Sequence, residues 1–172
     1  MPISSCPMLA VADLAKRYAD VGRPLFSGID FAVAAGEIVA LVGESGIGKS
    51  TLLNCIAGLE TADCGSVHIG PQALDMVRLD EAARAALRAR NIGFVFQAFH
   101  VLPTLTVAQN IIVPLLLARV PSGEHATRTQ ALLERVGLAG FADRWPVSLS
   151  GGELQRVAIA RALVHRPALI LA

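Results

Sequence analysis

Eight residues in the first third of the chain have the types and the spacing that polyphosphate binding requires. They read Gly43-Glu44-Ser45-Gly46-Ile47-Gly48-Lys49-Ser50 and fit the pattern G-x-x-x-x-G-K-[ST]. The glycines let the backbone curl until successive N–H groups converge on one phosphate, and a helix that begins near Lys49 adds its partial positive charge there. Lys49 would bridge the terminal phosphates, and the Ser50 hydroxyl would coordinate Mg²⁺. The alternative is a chance glycine-rich turn, expected in roughly one chain per thousand of this composition.

A second segment, Leu149-Ser150-Gly151-Gly152-Glu153, predicts another helix N-terminus that faces an anion. A serine followed by glycines at the start of a helix presents backbone N–H groups to a negative charge. The alternative is a serine-capped helix whose glycines are merely flexible. One chain rarely needs two such sites for one nucleotide, so the second segment suggests action in trans. Two copies arranged head to tail would then hold the nucleotide between them.

The composition limits the classes of protein that could carry these segments. The chain has 172 residues, of which 53% are hydrophobic and 17% charged, and its formal net charge is +1. This balance argues against disorder and against a broad electrostatic surface for nucleic acid. The best candidate for a membrane span, residues 111–118, has eight residues and includes Pro114, whereas a span needs about 20. Cys6, Cys55 and Cys64 fit neither a disulfide set nor a zinc site and are expected to be buried.

Short apolar runs that alternate with segments of helical periodicity predict an α/β fold. Strands are expected at 8–11 and 29–33, and a buried strand at 37–42 is expected to lead into the glycine-rich loop. The further elements expected in chain order are a helix at 49–57, a strand at 66–69, a helix at 80–90, a strand at 92–96, helices at 106–117, 123–136 and 154–164, and a strand at 168–171. The mainly helical block at about 98–150 is typical of a helical subdomain inserted in an α/β core.

Together with several other residues, these segments resemble the ATP-binding subunits of ABC transporters over nearly the whole chain. The features shared with that family are Tyr18, the Walker A loop at 43–51, Gln97, Pro146, the signature at 149–153 and the run at 155–163. Segments 92–97 and 102–107, with Asn110, look most like the lipoprotein-releasing and macrolide-export branch. The resemblance implies a P-loop NTPase core with a mainly parallel sheet, an N-terminal antiparallel β subdomain and an inserted helical subdomain. It implies one ATP-binding domain over residues 1–172, incomplete at its C-terminus.

The resemblance also implies a role for each residue of the motifs. Tyr18 would stack on adenine, although an ordinary partly buried aromatic is the alternative. Gln97 would ligate Mg²⁺ together with Ser50 and sense the γ-phosphate, although a polar residue at a strand end is the alternative. Lys49 and Gln97 would be the catalytic groups. The residues that would bind ATP are Gly43, Glu44, Ser45, Gly46, Ile47, Gly48, Lys49, Ser50 and Thr51. The residues that would act in trans are Leu149, Ser150, Gly151, Gly152 and Glu153.

The function implied by the resemblance is ATP hydrolysis that powers a separate membrane permease, with export or lipoprotein release favoured. The subunit would lie on the cytoplasmic face of the membrane, form a homodimer across ATP and contact the permease through residues 98–114. The alternative for that segment is the core of the helical subdomain. The family's next element is an apolar strand that ends in Asp-Glu, and residues 168–172 resemble that strand up to these carboxylates. We therefore expect a fragment of a longer subunit, and a non-hydrolysing nucleotide-binding module is the alternative. An ABC-type ATPase that acts on DNA or ribosomes is a further alternative, disfavoured by the lack of coiled-coil or basic insertions.

Overall fold

A computed structural model of the chain describes residues 7–18, 23–70 and 74–172. It contains both strands and helices, so the prediction of an α/β fold is confirmed. The chain divides into two units, with the boundary between Arg88 and Ala89. These are called the N-terminal unit and the C-terminal unit below.

An antiparallel sheet of four strands forms the main part of the N-terminal unit. Its strands are β1 (Leu9–Arg17), β2 (Pro24–Val33), β3 (Cys64–Ile69) and β4 (Leu74–Asp75), and they lie in the order β2-β1-β3-β4. The strands predicted at 8–11, 29–33 and 66–69 are present, and each is longer than predicted. Backbone pairing continues through the polar residues at the end of β1, where the apolar run that identified the strand has already stopped.

A bulge in β1 keeps its apolar side chains on the buried face. The register shifts between Val11 and Leu14, where Asp13 has a φ of +46°, and Leu9, Val11 and Leu14 are all buried. Without the extra residue, the two-residue period of the strand would turn Leu14 to the opposite face. Gly65 of β3 lies against this bulge, because a Cβ atom there would be only 2.5 Å from the Asp13 carbonyl oxygen.

The prediction of a buried strand at 37–42 is wrong. The segment has no regular secondary structure and pairs with none of the described strands, and its side chains Ile38 and Val42 are 96% and 92% exposed. Only its first residue is tied back, since the Ala34 N–H donates to Glu37 Oε2 at 2.8 Å. A strand buried on both faces needs neighbours to pair its N–H and C=O groups and to cover its side chains. Apolar content alone supplies none of these neighbours, so parallel pairing among the described residues is smaller than predicted.

One helix lies between β2 and β3 in the sequence, and a second follows β4. Helix α1 (Lys49–Ile56) directly follows Gly48 and buries Leu52, Cys55 and Ile56. Helix α2 (Glu81–Asn91) is capped by Asp80, whose Oδ1 accepts a hydrogen bond from the Ala83 N–H at 2.8 Å.

In the C-terminal unit, a core of three helices is combined with the only parallel strand pair of the described residues. The elements are β5 (Ile92–Phe94), α3 (Val107–Leu117), α4 (His125–Arg135), α5 (Gly151–Leu163) and β6 (Leu169–Leu171), with β5 parallel to β6. The helices share one apolar core formed by Val107, Ile111, Leu115, Leu133, Leu138, Val157, Ala160 and Val164. The predicted helices are thus confirmed, and α5 begins three residues earlier than predicted because Ser150 caps it. None of the described helices combines the length and the apolar character that a membrane span requires.

The cysteines do not share one environment, contrary to the expectation of burial. Cys55 is buried in α1, and this burial raises the pKa of its thiol to about 11. Cys64 is exposed at the start of β3, where its Sγ lies 3.7 Å from the Asp13 carbonyl oxygen. The end of a strand stays open to solvent even when its middle is covered. The apolar character of a cysteine therefore does not predict whether it is buried. Cys6 lies outside the described residues.

Candidate functional site

The glycine-rich loop, residues 43–50, turns directly into α1 through backbone conformations that favour glycine. Gly46 has a φ of +83° and Gly48 a φ of +102°. A Cβ atom at Gly48 would also lie 2.9 Å from the Leu25 side chain. Gly48 is the N-cap of α1 and provides no capping side chain, and the first turn of the helix carries no acidic residue. The N–H groups at this helix start are therefore suited to receive an anion.

Lys49 closes the loop on itself. Its ammonium donates to the carbonyl oxygens of Gly43, at 2.8 Å, and Glu44, at 2.7 Å. An ammonium has three donors, and these two contacts leave one without a partner among the described residues. The positive charge of Lys49 thus lies at the helix N-terminus, where it adds to the partial positive charge of the helix dipole. Ser50 follows in the first turn of the helix with an exposed side chain.

Tyr18 lies beside the start of α1, so that the structure brings it together with Thr51 of the predicted site. The Tyr18 hydroxyl donates to Glu60 Oε1 and also interacts with the Thr51 side chain. Lys16 completes this group: its ammonium is 3.5 Å from Glu60 Oε1, donates to the Thr61 carbonyl oxygen at 2.7 Å and lies 5.3 Å from the centre of the Tyr18 ring. Tyr18 remains 40% exposed, so part of its side chain is open to a ligand.

Lys16 and Glu60 are functional candidates that the sequence analysis missed. No motif marks them, and Glu60 is 42 residues from Tyr18 along the chain. The one available signal was the two-residue spacing of Lys16 and Tyr18, which places both side chains on the same face of an extended segment. Together they fix the Tyr18 ring through a hydrogen bond at its hydroxyl and a cation at its face.

Replacing Glu60 by glutamine is expected to lower the pKa of Tyr18. The hydrogen bond to Glu60 is the largest cause that holds the pKa of this phenol above its ordinary value, and the Glu60 charge adds to it. Tyr18 is the only tyrosine of the chain, so its ionisation can be followed directly by phenolate absorbance during a pH titration. Glu134→Gln, on an exposed position of α4, is the control. A titration midpoint unchanged by Glu60→Gln would contradict the contact.

The signature segment forms a complete capping box at the start of α5. Ser150 donates from its backbone N–H, at 2.7 Å, and from its hydroxyl, at 2.8 Å, to Glu153 Oε2. These hydrogen bonds hold the pKa of the Glu153 carboxyl below its ordinary value. The serine-cap interpretation is therefore correct for the local structure. The capping box leaves the surface at Gly151 and Gly152 open, because a Cβ atom added at either glycine would meet no described atom within 4 Å beyond its chain neighbours and its own helix.

Gln97 lies in a turn just after β5, with an exposed side chain. The strand pairing extends one residue past β5 through the Val95 N–H, which donates to the Leu171 carbonyl oxygen at 2.9 Å. The strand predicted at 92–96 is thus shorter than expected, since β5 ends at Phe94 and its pairing ends at Val95. Aromatic contacts order the residues around the turn: the rings of Phe94 and Phe96 stack at 4.2 Å, and His100 meets Phe96 edge-on at 4.7 Å.

The loop, its closing lysine and the helix that follows define the chain as a P-loop NTPase fold. The ABC transporter family matches residues 26–172, and the chain belongs to that family. It is 46% identical over 171 residues to the lipoprotein-releasing system ATP-binding protein LolD of Pseudomonas fluorescens, covering 98% of this chain and 74% of LolD. It is also 46% identical over 164 residues to the methionine import ATP-binding protein MetN of Caulobacter vibrioides, covering 95% of this chain and 48% of MetN.

A solved structure shows the same fold. The dimeric structure of the ATP-binding cassette MJ0796 bound to ADP and Pi matches with a TM-score of 0.84 and 35% identity, over 96% of this chain and 73% of that chain. The chain spans about half the length of the MetN relatives it matches. These comparisons confirm the family and the fold implied by the sequence resemblance.

Proposed function

We propose that the chain binds ATP through the glycine-rich loop and Thr51 and belongs to a subunit that hydrolyses ATP. The observation that supports this most directly is the loop closed by Lys49 at a helix N-terminus without a capping side chain. Tyr18, partly exposed and beside Thr51, would give the adenine an aromatic surface for stacking. Phosphoryl transfer depends mainly on positioning and on stabilisation of charge, which is the chemistry that such a loop supplies.

Mg²⁺ is the metal that suits the proposed ligands. Ser50 and Gln97 both offer neutral oxygen atoms on exposed side chains, and a hard cation prefers oxygen ligands together with phosphate oxygens. When bound, the ion would neutralise charge on the phosphates. Ser50 and Gln97 would orient it, while Lys49 would contact the terminal phosphates.

Residues Leu149, Ser150, Gly151, Gly152 and Glu153 are proposed to act on the ATP of a second copy of the chain. The approach to both glycines is open, and the neighbouring side chains Val147 and Trp145 are 91% and 49% exposed. Apolar groups exposed next to an anion-facing helix start favour burial against a protein partner. The matched cassette MJ0796 is itself a dimer.

The energy of hydrolysis is proposed to drive a membrane permease, contacted through residues 98–114. Leu102 in this segment, and Leu116 and Leu117 just beyond it, are 44%, 59% and 65% exposed, which suits a protein interface. The relatives include proteins of methionine import, lipoprotein release and pyoverdine export. Release or export at the cytoplasmic face of the membrane remains our proposal, based on the resemblance of segments 92–97 and 102–107.

ATP-dependent dimerisation tests the head-to-tail arrangement. We expect the chain to dimerise in ATP with EDTA and to stay monomeric without nucleotide, as measured by analytical ultracentrifugation. Gly151→Asp adds a negative charge where space is open and should abolish dimerisation, while Gly123→Asp, at another open position, should not. Lys49→Ala should also stay monomeric alone. A mixture of Lys49→Ala and Gly151→Asp copies should dimerise, because one composite site in the mixed dimer is intact.

Two results would contradict the proposal in different ways. If the wild-type chain shows no binding in an ATP titration, nucleotide binding itself is wrong. If it binds ATP but Gly151→Asp dimerises as well as the wild type, the signature does not act in trans.

A further inference from the structure

The residues that follow Gln97 adopt a backbone conformation that needs external support. Phe99 and His100 have φ values of +58° and +45°, so two successive residues with side chains lie in the left-handed region. Such conformations are costly for residues other than glycine and persist where the surroundings hold them in place. The turn must therefore be anchored by groups outside it.

Arg161 of α5 supplies that anchor. One terminal nitrogen of its guanidinium donates to the His100 carbonyl oxygen at 2.6 Å, and the other terminal nitrogen donates to the Phe99 carbonyl oxygen at 2.7 Å. The planar fork thus spans the two carbonyls of the strained residues, with charge-assisted hydrogen bonds. Arg161 comes 61 residues after His100 in the sequence. The contact is therefore purely tertiary.

A second contact fixes the far side of the same loop. Asn110 of α3 is fully buried, its Oδ1 accepts from the Leu102 N–H at 2.8 Å, and its Nδ2 lies 3.0 Å from the carbonyl oxygens of Leu102, Leu105 and Thr106. The downstream part of the loop is thus held by α3. The part next to Gln97 is held by Arg161, whose removal should loosen that part alone.

We propose that Arg161 is a positioning residue that holds the Gln97 turn and ties it to the helix of the signature segment. Arg161 and Ser150 are joined by one continuous helix, α5, about 16 Å long over this stretch. A displacement of the signature would thus be carried to Gln97 through Arg161. The inference rests on the proposed function, because that function gives Gln97 its role as a ligand of Mg²⁺.

The test compares ATP affinity with Mg²⁺ and with EDTA in Arg161→Gln. We expect affinity in EDTA to stay near that of the wild type. The additional affinity conferred by Mg²⁺ should fall about tenfold, the usual effect of removing a group that orients a metal ligand. Hydrogen exchange should become faster for amides 98–101 and remain unchanged in α3. Arg161→Lys, which can reach one carbonyl at a time, should give a partial effect. Arg135→Gln, exposed on α4, is the matched control.

A double-mutant cycle distinguishes positioning from a general structural role. In a Gln97→Ala background, Arg161→Gln should cause no further loss of the Mg²⁺ effect, because the positioned group is already absent. Independent losses that add, or unchanged exchange at 98–101, would overturn the inference. Should Arg161→Gln unfold, the same comparisons made with Arg161→Lys decide the outcome. A wild-type chain that binds no ATP would overturn the proposed function, whereas the exchange measurement would still test the anchor.

Discussion

Lys49→Ala is expected to weaken ATP binding by about 10- to 100-fold. Two effects combine: the variant loses a charged hydrogen-bond donor to phosphate, worth about 1.5–3 kcal/mol, and it loses the tie that closes the loop. That tie consists of the hydrogen bonds from the Lys49 ammonium to the carbonyl oxygens of Gly43 and Glu44. Isothermal titration calorimetry with ATP, in EDTA to prevent turnover, measures the change in affinity.

Lys49→Arg separates charge from shape in this prediction. A guanidinium keeps the positive charge, but its planar fork cannot reproduce the compact contacts of an ammonium inside the loop. We therefore expect most of the loss to persist in this variant. Arg135→Ala, which removes an exposed charge from α4, should leave the affinity unchanged. Full affinity in Lys49→Ala would refute the proposed phosphate site.

Gly93→Ala is expected to lower the free energy of unfolding by about 3 kcal/mol, near the upper end of overpacking effects. A Cβ atom at Gly93 would lie 2.2 Å from the Ala162 carbonyl oxygen and 3.0 Å from the Pro167 side chain. The first of these neighbours is helix backbone, so relief requires β5 to move away from α5. Urea unfolding of the chain, followed by circular dichroism, measures the loss.

Gly123→Ala is the matched control for this substitution. Its Cβ atom would meet no described atom within 4 Å, and its backbone lies outside the left-handed region. The control should unfold within about 0.5 kcal/mol of the wild type, as open surface positions usually do. Equal midpoints for the two variants would show that β5 does not pack on α5 as described.

Features with a local cause were predictable from the sequence. The glycine-rich pattern identified the loop and the start of α1. Ser150 was recognised as a possible cap because capping side chains act within three residues, although the helix itself was predicted to begin at 154. The same local logic failed at 37–42. The segment is apolar, as a buried strand requires, but a strand also needs neighbouring segments to pair with, and these cannot be identified from its own residues.

The sequence by itself determined which residues could bind a phosphate chain and, to within about one residue, where α1, α2 and α3 begin, since these properties depend on residue type and near neighbours. Only the tertiary structure decided that Lys16 and Glu60 hold Tyr18 beside Thr51, that Gly65 and Gly93 must lack a side chain, and that Arg161 anchors the Gln97 turn. Each of these depends on distances between atoms that are remote along the chain. Those distances exist only after the strands have paired and the helices have packed.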